Sequence, residues 1–319
     1  MSMKVLVTAP YMQPVISHFR HRFDEHGIEL IIPPVTERAS EEELLDWIGD
    51  VDGVIAGDDQ FTERVLRAAP KLKVLSKWGT GIDSFDQEAC QRLGIAIRNT
   101  PEAFSQPVAD TVLGYAICLL RHLHQMDREV HAGEWVKRPG KALNECTFGI
   151  IGVGNVGKAV ARRVRAFGAR LLGCDLVPMP QSFLRETGIA MVERGQLLAE
   201  ADVLSLNCDL NPTSYHIMSD DAFNRLKDGA CLINTARGPL IDERALVRAL
   251  DSGKLGAAAL DLFEEEPLPA GSPLRRFANV MLAPHNANSS PRASERVHLN
   301  TIDNLLGVLL AERGNRGHD

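Results

Sequence analysis

Short β-branched runs alternate with amphipathic stretches along almost the whole chain, and no other feature narrows the fold so far. Residues 4–8, 53–56, 74–76 and 95–98 read as strands, while 14–25, 41–48, 62–69 and 85–93 carry apolar residues at helical spacing. A longer helical pattern follows from about 108 to 131, apolar on more than one face between Val112 and Leu120. After the loop 133–145 a second strand–helix series opens at 147–151. It continues through strands at 170–174, 203–206, 230–234, 257–260 and 280–283, and a final helix spans about 291–311. Strands separated by helices form parallel sheets with crossover connections. The expected fold class is therefore α/β, with two Rossmann-like or flavodoxin-like doubly wound domains and a cleft between them.

Length permits this, since 319 residues suffice for two domains of ordinary size. Hydrophobic residues at 45% and charged residues at 24% are a globular balance. A net charge of -7 leaves no basic excess to displace counterions, so nucleic acid is not an expected partner. No apolar run is long enough for a membrane span, and the first ten residues lack the pattern of a signal peptide. The 6 cysteines are scattered without a C-x-x-C pair, which suits a reducing, cytoplasmic setting.

The sharpest local signal is T-F-G-I-I-G-V-G-N-V-G-K at 147–158. A bare G-x-G-x-x-G is common by chance, but here it follows a strand pattern and leads into a helix pattern. Gly152 permits the tight turn, Gly154 lets backbone approach a pyrophosphate, and Gly157 lets the helix pack close on the strand. The next strand ends in Asp175, 18 residues after Gly157, where a carboxylate would take ribose hydroxyls. A 2'-phosphate would meet that negative charge, and Leu176, Val177 and Pro178 bring no arginine. The expected cofactor is NAD.

Three later strands end in charged groups, at Arg237, at Glu266 after Asp261, and at His285. Ligands of open α/β sheets bind beyond the carboxyl ends of strands. A guanidinium grips a carboxylate with its planar fork, and an imidazole exchanges the hydroxyl proton near neutrality. A carboxylate beside that imidazole would favour its charged form and so suit reduction. Each residue has a plainer alternative. Arg237 could pair with Asp242, Glu266 could be one of three solvated acids, and His285 could simply turn the chain after Pro284. His122 and His124 lie two apart on the expected helix and His18 and His21 lack partner ligands, so no metal site is expected.

Taken together, K-W-G-T-G-I-D at 77–83, N-T-P at 99–101, V-A-D at 108–110, the glycine loop, N-T-A-R-G at 234–238, Asp261, Glu266-Pro267 and Pro284-His285 resemble the D-isomer-specific 2-hydroxyacid dehydrogenases. Within that family the likeness is to short phosphoglycerate dehydrogenase-type members. The resemblance implies a catalytic set of Arg237, Glu266 and His285, interconverting a small 2-hydroxy acid and its 2-keto acid with NAD. It implies that Thr80, Asn155, Val156, Asp175, Cys208, Thr235, Ala236 and Asp261 lie along the cofactor, with Gly152, Gly154 and Gly157. It also implies that Lys77, Trp78, Gly79 and Gly81, with Arg237, receive the substrate carboxylate. Residues 1–103 and 289–319 would form the substrate-binding domain, residues 104–288 the NAD domain, and the protein a homodimer whose cleft closes by a hinge.

The chain departs from the family where a phosphate-binding arginine is usual: the turn reads Ala56-Gly57-Asp58-Asp59-Gln60, and Lys77 replaces an arginine. Lys137 and Arg138 offer positive charge elsewhere, and Asn286 and Asn288 add amides after His285. 3-Phosphoglycerate is accordingly not the preferred substrate. No regulatory domain is expected after residue 319. The alternative function is a non-catalytic, NAD(H)-sensing binding protein on the same scaffold, as in the family's corepressor members. A formate-type enzyme would want an amide in place of Glu266.

Overall fold

A computed structural model describes residues 2–315. Its chain divides into two compact units, residues 1–104 with 290–319, and residues 105–289.

The first unit holds strands β1 (Met3–Val7), β2 (Ile28–Ile31), β3 (Gly53–Ala56), β4 (Val74–Lys77) and β5 (Ala96–Arg98). Their order in the sheet is β2-β1-β3-β4-β5, every pairing parallel. The crossovers contain helices α1 (Ile16–Asp24), α2 (Glu41–Trp47), α3 (Glu63–Arg67) and α4 (Gln87–Leu93). Residues of β3 and β4 are buried throughout, as expected for central parallel strands covered on both faces. The C-terminal helix, Pro291–Asn315, returns to this sheet. Gly53 makes room for it: a Cβ there would lie 3.0 Å from Leu305, and Ser76 Oγ donates to the Thr301 carbonyl at 2.8 Å.

The second unit opens with helices α5 (Ser105–Leu120) and α6 (Leu123–His131). Its strands are β6 (Thr147–Ile151), β7 (Arg170–Cys174), β8 (Ala190–Met191), β9 (Val203–Leu206), β10 (Ala230–Asn234), β11 (Leu255–Leu260) and β12 (Val280–Leu282). They form one parallel sheet in the order β12-β11-β10-β9-β6-β7-β8. Between them run α7 (Asn155–Ala166), α8 (Gln181–Thr187), α9 (Arg194–Glu200), α10 (Asp220–Arg225) and α11 (Glu243–Asp251). Reversal of strand order between β6 and β9 places the β6 turn at a switch point, where such sheets bind ligands.

The helix expected over 108–131 is two helices. His122 takes φ +54°, and the Leu120 carbonyl accepts from Lys141 N at 3.1 Å instead of continuing the helix. Gly140 permits this approach, since a Cβ there would lie 2.6 Å from that carbonyl. Two strands absent from the sequence reading, β2 and β8, lie at sheet edges and contain four and two residues. Among the described residues no helix is long and apolar enough to cross a membrane.

Candidate active site

The glycine turn after β6 is shaped by close contact on two sides and openness on the third. Gly152 has φ +86°, and a Cβ there would lie 2.5 Å from Cys208 N in the turn after β9. A Cβ on Gly157 would lie 2.1 Å from the Gly152 carbonyl, so α7 can start this close only with glycine. Gly154 differs: it caps α7, and a Cβ there would meet nothing within 4 Å. No protein neighbour requires that glycine, but an anion held by the first amides of α7, at Asn155 and Val156, would. Asp175 faces the same turn, its two oxygens accepting from Val153 N at 2.6 Å and Val177 N at 2.8 Å. The Cys208 thiol is pushed up to about 11 by burial, so it lines the turn as an apolar group. These features fit the diphosphate and ribose of NAD.

The three charged residues leave adjacent strands, β10, β11 and β12. Buried Asn234 shapes the first turn: its Nδ2 donates to the Arg237 carbonyl at 2.8 Å and its Oδ1 accepts from Ala236 N at 3.1 Å. Arg237 Nη1 donates to the Ala236 carbonyl at 2.7 Å. Gly238 lies so close to the next strand's exit that a Cβ would sit 1.9 Å from the Phe263 carbonyl. This holds the Arg237 turn against the segment leading to Glu266. Asp242 instead caps α11 through Arg244 N and Ala245 N. Thr235 Oγ1 is inaccessible and has no hydrogen-bond partner.

Asp261 organises the third turn. It is 1% exposed, and its oxygens accept from Asn286 N at 2.9 Å and Ala287 N at 2.8 Å, while its carbonyl accepts from His285 N at 2.8 Å. His285 thereby holds φ +50°, unusual for a residue with a Cβ. Its Nδ1 lies 3.1 Å from Glu266 Oε2, and Glu266 Oε1 accepts from Phe263 N at 3.1 Å. A carboxylate only accepts, so Nδ1 carries the hydrogen toward it, and Nε2 is the ring's other proton-exchanging atom. Of the neighbouring acids, Glu264 Oε1 contacts His216 Nε2 at 2.6 Å.

In the first unit, residues 77–81 follow β4. The Gly79 carbonyl accepts from Thr100 N at 2.9 Å and Thr100 Oγ1 at 3.0 Å, and the Thr80 carbonyl accepts from Asn99 Nδ2 at 2.6 Å. The amides of Gly79, Thr80 and Gly81 donate to no group among the described residues. Gly79 has φ +125°, a conformation that needs glycine. Lys77, by contrast, is 3% exposed, with Nζ donating to Asp58 Oδ1 at 2.8 Å. Asp59 points inward, accepting from Thr8 Oγ1, from Ala39 N at 2.6 Å and from Gly57 N at 2.9 Å, and burial pushes its carboxyl up. Arg138 is engaged by Glu129, 3.1 Å from its Nε. The bracing roles of Asn234, Gly238 and Asp261 were not apparent from sequence.

A switch-point glycine turn with its acidic partner, beside a histidine–carboxylate pair and an arginine on neighbouring strands, defines a dinucleotide-dependent oxidoreductase. Residues 113–287 match the family described as D-isomer specific 2-hydroxyacid dehydrogenase, NAD binding domain. A glyoxylate reductase of Korarchaeum cryptofilum is 32% identical over 319 residues, covering 98% of this chain and 94% of the relative. A D-3-phosphoglycerate dehydrogenase of Methanocaldococcus jannaschii is 34% identical over 313 residues, 97% of this chain but 58% of the relative. The crystal structure of a D-lactate dehydrogenase from Aquifex aeolicus, complexed with NAD and lactic acid, superposes with TM-score 0.87 at 25% identity, covering 98% of each chain. The chain belongs to the D-isomer specific 2-hydroxyacid dehydrogenase family, and it is an NAD-dependent oxidoreductase of 2-hydroxy acids.

Proposed function

We propose that this chain reduces a small 2-keto acid to the D-2-hydroxy acid at Arg237, Glu266 and His285. The observation that carries the reading is the His285–Glu266 pair, set on a turn braced by Asp261 next to the arginine turn. Arg237 holds the keto oxygen and the substrate carboxylate. His285 delivers a proton from Nε2 to the developing alkoxide, and Glu266 on Nδ1 stabilises the imidazolium that precedes the transfer. The unengaged amides of Gly79, Thr80 and Gly81, beside Trp78, receive the carboxylate, while buried Lys77 acts through Asp58. Bound NADH supplies the hydride. Residues 152–157 with Asp175, Cys208, Thr235, Ala236 and Thr80 would hold it, and Asp261 orders the adjoining turn. In this reading residues 1–103 and 289–319 bind the acid and residues 104–288 bind NAD.

The same reading includes a homodimer and a cytoplasmic site of action. Exposed apolar residues on and after α6, Leu123, Val130, Trp135 and Val136, support the first; six free cysteines support the second. The direct test follows NADH absorbance with glyoxylate, hydroxypyruvate, pyruvate and phosphohydroxypyruvate. Consumption with at least one acid is expected. Tight NADH binding with no consumption by any of them would favour a sensor instead.

A further inference from the structure

We propose that Tyr11 and Asp58 set the substrate preference, toward 2-keto acids whose substituent is uncharged with an apolar face, and against phosphorylated ones. This rests on the proposed function, because it assumes that the amides at 79–81 receive the substrate carboxylate.

Strands β1, β3 and β4 are parallel neighbours, so the segments that follow them leave one edge of the sheet side by side. Those segments carry Tyr11, Asp58 and the Lys77–Gly81 turn. Trp78 is 7% exposed and firmly held: its Nε1 donates to His298 Nδ1 at 2.9 Å, and Phe104 lies 5.5 Å from it, centre to centre. The Tyr11 ring stacks on this indole at 5.0 Å and 26°, yet keeps 50% exposure. An aromatic face backed by a fixed indole is thus presented beside the carboxylate-receiving amides. Such a face receives alkyl or aryl groups through area burial and stacking.

Charge at the same edge runs the other way from what a phosphate needs. The Lys77 ammonium is buried and donates to Asp58 Oδ1 at 2.8 Å and to the Trp78 carbonyl at 3.4 Å. Asp58 keeps 48% side-chain exposure while Lys77 keeps 4%. An arriving substituent therefore meets the carboxylate before the ammonium. A phosphate dianion there is repelled by the Asp58 carboxylate, and the Lys77 ammonium is already engaged.

The experiment measures kcat/KM with NADH for glyoxylate, phenylpyruvate, hydroxypyruvate and phosphohydroxypyruvate, in the wild type, Tyr11→Ala and Asp58→Asn. In the wild type phenylpyruvate should exceed glyoxylate by about tenfold or more, the scale on which apolar pockets discriminate. Hydroxypyruvate should exceed phosphohydroxypyruvate by a similar factor. Tyr11→Ala should remove about tenfold from the first ratio, and Asp58→Asn should move the second about tenfold toward the phosphate. Each ratio is taken within one preparation, so loss of folded protein cancels. A wild type that prefers phosphohydroxypyruvate or glyoxylate, or variants that leave both ratios in place, would overturn the inference alone. Absence of turnover with every acid would sink the proposed function and this inference together.

Discussion

A left-handed backbone at His285, φ +50°, is disfavoured by about 1–2 kcal/mol for a residue with a Cβ. It persists because Asp261 offers two carboxylate oxygens to the next two amides and its own carbonyl to His285 N. The imidazole is thus aimed by a buried acid 24 residues away in sequence. Two variants separate aim from chemistry. His285→Ala should lower kcat by about two to four powers of ten while the Kd for NADH stays within about twofold. A comparable loss of NADH affinity would remove His285 from the proton-transfer role. Asp261→Ala removes the acceptor from the Asn286 and Ala287 amides, and for the buried Ala287 amide that is a loss of about 1–3 kcal/mol. It should lower both Tm and kcat although the imidazole is still present. Unchanged kcat would show that the turn holds without its brace.

At the scale of elements, the β6–turn–α7 unit was legible in the sequence because its whole logic lies within about a dozen residues, strand, three glycines and helix. The structure assigns those glycines different reasons. Gly152→Ala combines a positive φ with a Cβ 2.5 Å from Cys208 N, so backbone must move, and a destabilisation above about 2 kcal/mol should appear as a clear drop in Tm. Gly154→Ala meets no protein atom within 4 Å. It should leave Tm nearly unchanged and weaken NADH binding by about tenfold or more, as titrated by fluorescence. Equal Tm losses in both variants would show that the turn is merely structural. Less legible was the end of α5, where no Gly or Pro marks the break. The Leu120 carbonyl is captured by Lys141 N, a partner in a loop some twenty residues on, and pattern reading cannot see that competition. The surroundings of Lys77 were illegible for the same kind of reason: sequence shows a cation beside a glycine turn, whereas its ion pair with Asp58 exists only once β3 and β4 are adjacent.

For the whole molecule, alternation along the chain was enough to expect two parallel sheets, while the strands it missed were short edge strands with little buried surface to impose a pattern. Net charge, -7 from the sequence, says nothing about where acids gather, and the fold concentrates several around α11. Glu243, in its first turn, accepts from Glu264 N at 2.8 Å. Burial first, and then the charges of Glu264, Glu265 and Glu266, push its carboxyl above the ordinary 4.5. The native protein therefore binds this proton more tightly than the unfolded chain does. Stability from this group is present below the ordinary value and is lost as pH rises from 4.5 through the raised folded value. Glu243→Gln keeps an acceptor for Glu264 N but cannot ionise. Its Tm should exceed that of the wild type at neutral and alkaline pH, and the gap should shrink or reverse below about pH 4.5, where both side chains are neutral. Melting curves across that range test it. A gap that is constant with pH would mean the substitution acts through packing rather than through the proton.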